Sequence, residues 1–288
     1  MGGAGERAEA AVARLTGVAV ADPGGAGVPR TMALADGTTV VVKHADAPGA
    51  TRAEAAGLRW LAAADTVAVP RVRGRDASWL VIDHVATGRP EAGAAAAFGR
   101  GLAALHRAGA PAFGAPPPGG PEHAYVGDAP LRNATGRDWP GWYAEHRVLP
   151  YLRSAVDAGT LRRREAAVVE RVCERLPELA GPAEPPARLH GDLWNGNVLW
   201  GVEPAVWLID PAAHGGHRET DLAMLDLFGC PLLGEVLRGY DEAAPLAPGR
   251  AERVPLHQLF PLLVHTVLFG RAYAERTLAA ARAALEPA

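Results

Sequence analysis

Residues 189–200 read Leu-His-Gly-Asp-Leu-Trp-Asn-Gly-Asn-Val-Leu-Trp, and residues 206–212 read Val-Trp-Leu-Ile-Asp-Pro-Ala. Apolar and aromatic residues on both sides of a turn at Gly201 to Pro204 predict a short β-hairpin. Such a hairpin holds Asp192 and Asn197 at one end, and its return strand brings Asp210 back beside them. Two carboxylates and a carboxamide make a hard, oxygen-rich set suited to Mg²⁺ that keeps some of its waters. Softer metals are disfavoured, because no cysteine is near and His190 alone does not make a zinc site.

His190, Asp192, Leu193 and Asn197 fit the kinase catalytic-loop pattern H-x-D-L-x-x-x-N. The His-Gly-Asp form, with Asp210-Pro-Ala in place of Asp-Phe-Gly, resembles the small-molecule kinases of the aminoglycoside phosphotransferase group. Upstream, a short helix is expected over residues 5–15. Strands are expected at Val18–Ala21, Arg30–Ala35, Thr38–Lys43, Val67–Val72 and Trp79–Val85, and a helix at Thr51–Ala64. The remainder reads as helical. Expected helices are Ala92–Arg107, Trp139–Ala158, Arg162–Leu176, Thr220–Phe228, Leu232–Tyr240 and two long ones between Arg250 and Leu285, with a proline-rich loop over Pro111–Glu122. The expected architecture is therefore α+β and two-lobed. A small antiparallel β lobe with one main helix spans residues 1–85, and a larger, mainly helical lobe spans 86–288.

Within the small lobe one residue stands out. The 29 lysine and arginine residues include a single lysine, Lys43, at the end of Thr38-Thr-Val-Val-Val-Lys43. In a chain whose default cation is arginine, this position asks for a compact ammonium that a planar fork cannot replace. In a kinase fold it is the place of the lysine that meets the α- and β-phosphates. Glu54, on the following helix, is its candidate partner. The turn at Gly24, Gly25 and Gly27 is a candidate phosphate cover through backbone N–H groups, or a plain flexible turn. Asp83-His84-Val85 is the expected hinge, where main-chain groups would read adenine.

Composition removes several classes. With 49% hydrophobic and 21% charged residues in 288, the chain can build a sizeable core. A net charge of −3 offers no field to attract nucleic acid or acidic lipid. Cys173 and Cys230 lack metal or disulfide spacing and fit a reducing, cytoplasmic setting. Charged Glu6, Arg7, Glu9 and Arg14 argue against a signal peptide, and the apolar run Leu259–Phe269 is too short to span a bilayer. Only Ser78 and Ser154 are serines, and neither sits in a nucleophile elbow.

A closer resemblance runs through most of the second lobe. It is carried by Tyr125-Val-Gly-Asp-Ala-Pro-Leu-Arg-Asn133, Asp138-Trp-Pro-Gly-Trp-Tyr-Ala-Glu-His-Arg147 and His190 to Asn197. Further on it includes Gly216-His-Arg-Glu-Thr-Asp-Leu-Ala-Met-Leu-Asp-Leu-Phe-Gly229 and the Leu262 to Gly270 segment. In these the chain resembles the fructosamine-3-kinase (ketosamine kinase) family. The resemblance implies a protein-kinase-like fold and ATP-dependent phosphorylation of the sugar 3-hydroxyl of ketosamines, an activity that repairs glycated amines. It implies Asp192 as the acceptor of the hydroxyl proton, with Asn197 and Asp210 holding Mg²⁺. Pro23-Gly-Gly-Ala-Gly27 departs from the family's cysteine-containing glycine segment, so redox regulation through that loop is not implied.

Trp194 is a candidate to stack on the sugar or its adduct, or to pack beneath the loop. Asn133 and Trp142 are candidates for the acceptor pocket and equally suited to pinning the long loop. His217 is open between the two. Asp221 reads as a brace for the catalytic loop, and His106 and His265 as helix histidines with ordinary partners. Two competing readings remain: a kinase for an aminoglycoside or choline-like alcohol, and a nucleotide-binding module without turnover. The complete set Lys43, Asp192, Asn197 and Asp210 weighs against the second.

Overall fold

The computed structural model describes residues 7–202 and 206–286. Part of the expected turn at Gly201 to Pro204, and the first two residues of the expected N-terminal helix, lie outside these. Helix α1 (Ala8–Thr16) leads into an antiparallel five-stranded sheet of β1 (Val20–Asp22), β2 (Arg30–Leu34), β3 (Thr39–His44), β4 (Val72–Arg75) and β5 (Trp79–Asp83). The strand order is β1-β2-β3-β5-β4, and α2 (Ala50–Ala62) follows β3. Alternation divides the sheet's faces. Val40 and Val42 of β3 and Val81 of β5 join Met32 and Leu34 under Ala8 and Val12 of α1. Leu80 and Ile82 of β5 pack on Ala55 and Leu58 of α2, with Val41 alongside.

One expected strand is displaced. Val67–Val72 was the sequence expectation, but pairing with β5 begins only at Val72. Ala68 instead makes an isolated parallel bridge to Trp207 of the other lobe. The apolar residues there signal burial between lobes and not membership of the sheet.

The second lobe is built on α3 (Ala92–Arg107), α5 (Leu149–Asp157), α6 (Arg163–Leu179), α7 (Arg218–Leu227), α8 (Leu233–Ala243), α9 (Arg250–Phe269) and α10 (Arg271–Leu285). The expected helix over Trp139–Ala158 is α4 (Trp139–Tyr143), a π-helical turn (Ala144–Val148) and α5 in succession. Two apolar cores fill this lobe. One gathers α4, α5, α6, α9 and α10. The other gathers α3, α8 and the hairpin β9 (Val198–Trp200) and β10 (Val206–Leu208), together with Trp60 and Leu61 of α2.

Two small sheets were not foreseen. The hairpin β6 (His123–Val126) and β7 (Ala129–Arg132) turns at Gly127-Asp128, and β8 (Ala187–Leu189) pairs with β11 (His214–Gly216). Both hairpin strands have four residues, too few for alternation to stand out beside the proline-rich loop before them. Tyr125 reaches from β6 to the first lobe, its hydroxyl donating to Pro48 O at 3.3 Å.

Candidate active site

Strand parity places the lysine. Lys43 shares the β3 face of Val41, the face covered by α2, where Glu54 lies one helical turn before Leu58. Lys43 Nζ donates to Glu54 Oε1 at 2.7 Å and also to Asp210 Oδ1. Burial works against the ammonium's charge, but Glu54 and then Asp210 outweigh it and hold the Lys43 pKa above its ordinary value.

Asp210 follows β10 with a backbone φ of 54°, a left-handed conformation uncommon for a side chain other than glycine. Its predecessor is held from two sides. Ile209 N–H donates to Asn197 O at 3.1 Å, and its carbonyl meets His190 Nε2 at 2.9 Å. The other ring nitrogen, Nδ1, accepts the Asp192 N–H at 3.3 Å. These bonds describe a neutral imidazole, and burial pushes the His190 pKa down accordingly. His190 thus ties together the two segments that carry Asp192 and Asp210.

Asn197 donates from Nδ2 to both Asp192 O (2.8 Å) and Asp192 Oδ2 (3.0 Å). That orients the carboxamide and locks the loop between them. Burial pushes the Asp192 carboxyl up to about 7; the Asn197 bond opposes this, while Asp210 and Asp221 add to it.

The backbone of the loop is braced by Asp221 of α7, as expected. Asp221 Oδ2 accepts His190 N–H at 2.8 Å and Oδ1 accepts Gly191 N–H at 3.0 Å. His106 Nε2 lies 3.2 Å from the same carboxylate, and its Nδ1 lies 2.8 Å from the Tyr240 hydroxyl. Burial would raise the Asp221 pKa, but His106, His190 and the Gly191 N–H together hold it below the usual carboxylate range. Gly191 has φ 81°, and a Cβ there would lie 2.2 Å from Ala212 O, so glycine is required.

These residues open on a cleft of about 850 Å³ between the lobes. Lys43, Glu54, Asp192, Asn197 and Asp210 line one part of it; Tyr125, Asn133, Trp194, Val264, His265 and Phe269 line another. The first group offers oxygen donors and one ammonium. Among the described residues no cluster of three or more His, Cys, Asp or Glu is arranged to hold a metal. A divalent ion here would therefore rest on Asp210, the Asn197 carboxamide and ligand oxygens. That sparse oxygen set suits Mg²⁺, which is commonly shared between one or two carboxylates and substrate phosphates.

Other expected site residues fall elsewhere. Trp142 is 4% exposed, donates its indole N–H to Ala134 O at 2.8 Å, and does not line the cleft. It is a core residue because its one polar atom is satisfied inside. His217 likewise is buried: it caps α7 by accepting Glu219 N–H and stacks beside Trp139 and His257. Gly24 N–H is already committed to Asp22 Oδ1 at 2.9 Å, and Gly24 and Gly25 line a separate shallow depression. Gly27 lines neither; Val28 and Pro29 are the turn residues that face the cleft. At the hinge, Asp83 N–H donates to Arg71 O and His84 N–H to Thr39 O, so neither is a free donor for a base. Val85 is buried beside them.

Trp194, by contrast, is 39% exposed at the cleft, edge-on to Phe228. His106 has the ordinary partners expected of it. His265 has one, Pro261 O at 2.8 Å from Nδ1, yet it also lines the cleft, as do Tyr125 and Asp128 of the β6–β7 hairpin. Sequence reasoning did not place these three at the cleft, because nothing in their local pattern separates a wall residue from a surface one.

The fructosamine kinase family profile matches residues 24–286 of this chain. The chain belongs to that family. A probable ketoamine kinase of Synechocystis sp. is 36% identical over 234 residues, covering 78% of this chain and 75% of the relative. A solved structure from Thermobifida fusca, assigned to fructosamine-3-kinase, is 49% identical and superposes with a TM-score of 0.88, covering 96% of this chain and 98% of that one. A macrolide 2'-phosphotransferase from Brachybacterium faecium, 17% identical over 96% of this chain and 97% of its own, has a TM-score of 0.56 and shows likeness of fold alone. This fructosamine kinase family member is thus a phosphotransferase with a protein-kinase-like fold. Among its described residues no helix is long and apolar enough to cross a membrane.

Proposed function

We propose that this family member transfers the γ-phosphoryl group of ATP to the 3-hydroxyl of ketosamines, the ribulosamine, erythrulosamine or fructosamine adducts of amines. It would thereby act in deglycation in the cytoplasm. ATP sits between the lobe of residues 1–85 and the lobe of residues 86–288. The observation that carries the reading is the meeting of Lys43, Glu54, Asp192, Asn197 and Asp210 in one cleft, in a chain of this family.

Asp192 orients the acceptor hydroxyl in line with the phosphorus and takes its proton late. A carboxylate suffices because phosphoryl transfer has a loose transition state, in which positioning and charge neutralisation matter more than base strength. Lys43, held by Glu54, places a point charge against the phosphates. Asn197 and Asp210 are the residues that would hold Mg²⁺, which when bound neutralises charge on the phosphate oxygens. Trp194 offers an exposed aromatic face to the sugar or its adduct.

The test is ADP release with Mg-ATP against ribulosyl-lysine, fructosyl-lysine, kanamycin and choline, with Asp192→Asn protein as the blank. Turnover on a ketosamine alone supports the reading and ranks the sugars. Turnover on kanamycin or choline instead overturns the substrate and keeps the phosphotransfer. Silence on all four, with ATP bound, moves weight to an untested acceptor or to a nucleotide-binding module without turnover.

A further inference from the structure

Behind the acceptor wall of the cleft lies a buried guanidinium with no acid paired to it among the described residues. Arg147 is 1% exposed, and burial works against its charge. Its Nη1 donates to Arg132 O at 2.9 Å and His146 O at 3.0 Å. The guanidinium lies 4.5 Å over the Trp142 ring and 5.7 Å from that of Phe260. Arg147 belongs to the π-helical turn between α4 and α5. One extra residue in such a turn re-aims the side chains that follow by about 100°, the rotation of a single helical residue.

Nε is buried without a hydrogen-bond partner among the described residues, and Nη2 points to Asn133 Oδ1 at 3.5 Å, a long contact between a cation and a carbonyl dipole. A guanidinium has only donors, so it selects the amide's oxygen and turns Nδ2 the other way. Asn133 is 4% exposed, lines the cleft, and its Nδ2 has no hydrogen-bond partner among the described residues. An unpaired buried donor is uncommon enough to call for an explanation, and a ligand oxygen in the cleft supplies one.

We infer that Asn133 is a specificity-determining residue that donates its Nδ2–H to a hydroxyl or carbonyl oxygen of the phosphoryl acceptor, and that Arg147 is the positioning residue that holds the amide in this orientation. The inference rests on reading the cleft as a phosphotransferase acceptor site. A ketosamine carries such an oxygen on C2, beside the 3-hydroxyl.

Asn133→Asp separates this from a merely structural role. The variant keeps the shape and gives Arg147 the anion it lacks, so a residue that only pins the loop would pin it better. If Asn133 is the acceptor's donor, the variant instead loses the N–H and faces the acceptor with a second carboxylate oxygen. The expected result is a rise in acceptor KM of about 10- to 100-fold, the usual scale for a lost buried donor. The KM for ATP should not rise with it, and the melting temperature should not fall. Wild-type acceptor KM and kcat in Asn133→Asp would overturn the inference. Arg147→Met should raise the acceptor KM in the same sense, and a lowered melting temperature with unchanged acceptor KM would remove Arg147's positioning role. Should Arg147→Met not fold, Asn133→Asp still decides. The acceptor used is whichever alcohol the wild type phosphorylates. Failure of the ketosamine reading then shows in the wild type, and failure of this inference only in the variants.

Discussion

The two halves of the cleft are built on opposite plans. On the proposed nucleotide side the polar groups are already paired: Lys43 with Glu54 and Asp210, Asp192 with Asn197, and the loop backbone with Asp221. On the proposed acceptor side the wall includes Tyr125, Val126, Val264, Leu268 and Phe269, with Asn133 Nδ2 unsatisfied among the described residues. The first half is organised before any ligand arrives, which is what electrostatic stabilisation of a transferring phosphoryl group requires. The second half offers apolar area with a few polar groups, Asn133, Asp128 and His265 among them, and so is expected to select mainly by shape. The chemistry is therefore expected to be brittle and the acceptor preference tunable.

Breaking the organised half should have the largest effects. Asp192→Asn is expected to lower kcat by about 10³-fold or more while ATP still binds, checked by single-turnover phosphate transfer and fluorescent-nucleotide titration. Near-normal turnover would remove Asp192 from its role. Lys43→Arg keeps the charge but replaces a point cation with a fork beside Glu54, and should cost roughly 10²-fold in kcat/KM for ATP. An unaffected kcat/KM would show that the lone lysine is incidental.

The brace beneath the loop gives a smaller effect, in stability. Because the folded Asp221 carboxylate titrates below its unfolded value, its contribution is whole above a pH of about 3.9 and is lost as pH falls below that. Asp221→Asn should destabilise the fold by roughly 2–3 kcal/mol at pH 7 and flatten the acid limb of the stability curve. Urea midpoints measured across pH 3 to 7 check both, and an unchanged acid limb would place the titration elsewhere. On the acceptor side, Phe269 is 62% exposed, so Phe269→Ala should leave melting unchanged and raise the acceptor KM only about 2- to 5-fold. A matching rise in the KM for ATP would show that the two halves are not separable.

The same division governs what could be read from the chain. That Asp192, Asn197, Asp210 and Lys43 meet in one cleft was foreseeable because a short hairpin and a strand end allow few arrangements, and each residue type suits the proposed phosphate chemistry. The helices α3, α9 and α10 were legible for a related reason, since long apolar periodicity outlasts errors at the ends. The acceptor wall was not. Its residues come from β6, the turn after it, Asn133 just beyond β7, and α9, more than a hundred positions apart, and His265 looks like any helix histidine until the fold brings α9 to the cleft. Trp142 and His217 show the converse, residues of suggestive type whose polar atoms are satisfied inside the core. The sequence by itself determined the family's chemistry, because phosphate and its counter-ion demand particular side chains at short range. Only the tertiary structure decided which apolar faces meet across the cleft, and left Asn133 Nδ2 without a partner among the described residues, because burial and hydrogen-bond satisfaction are properties of contacts between distant segments.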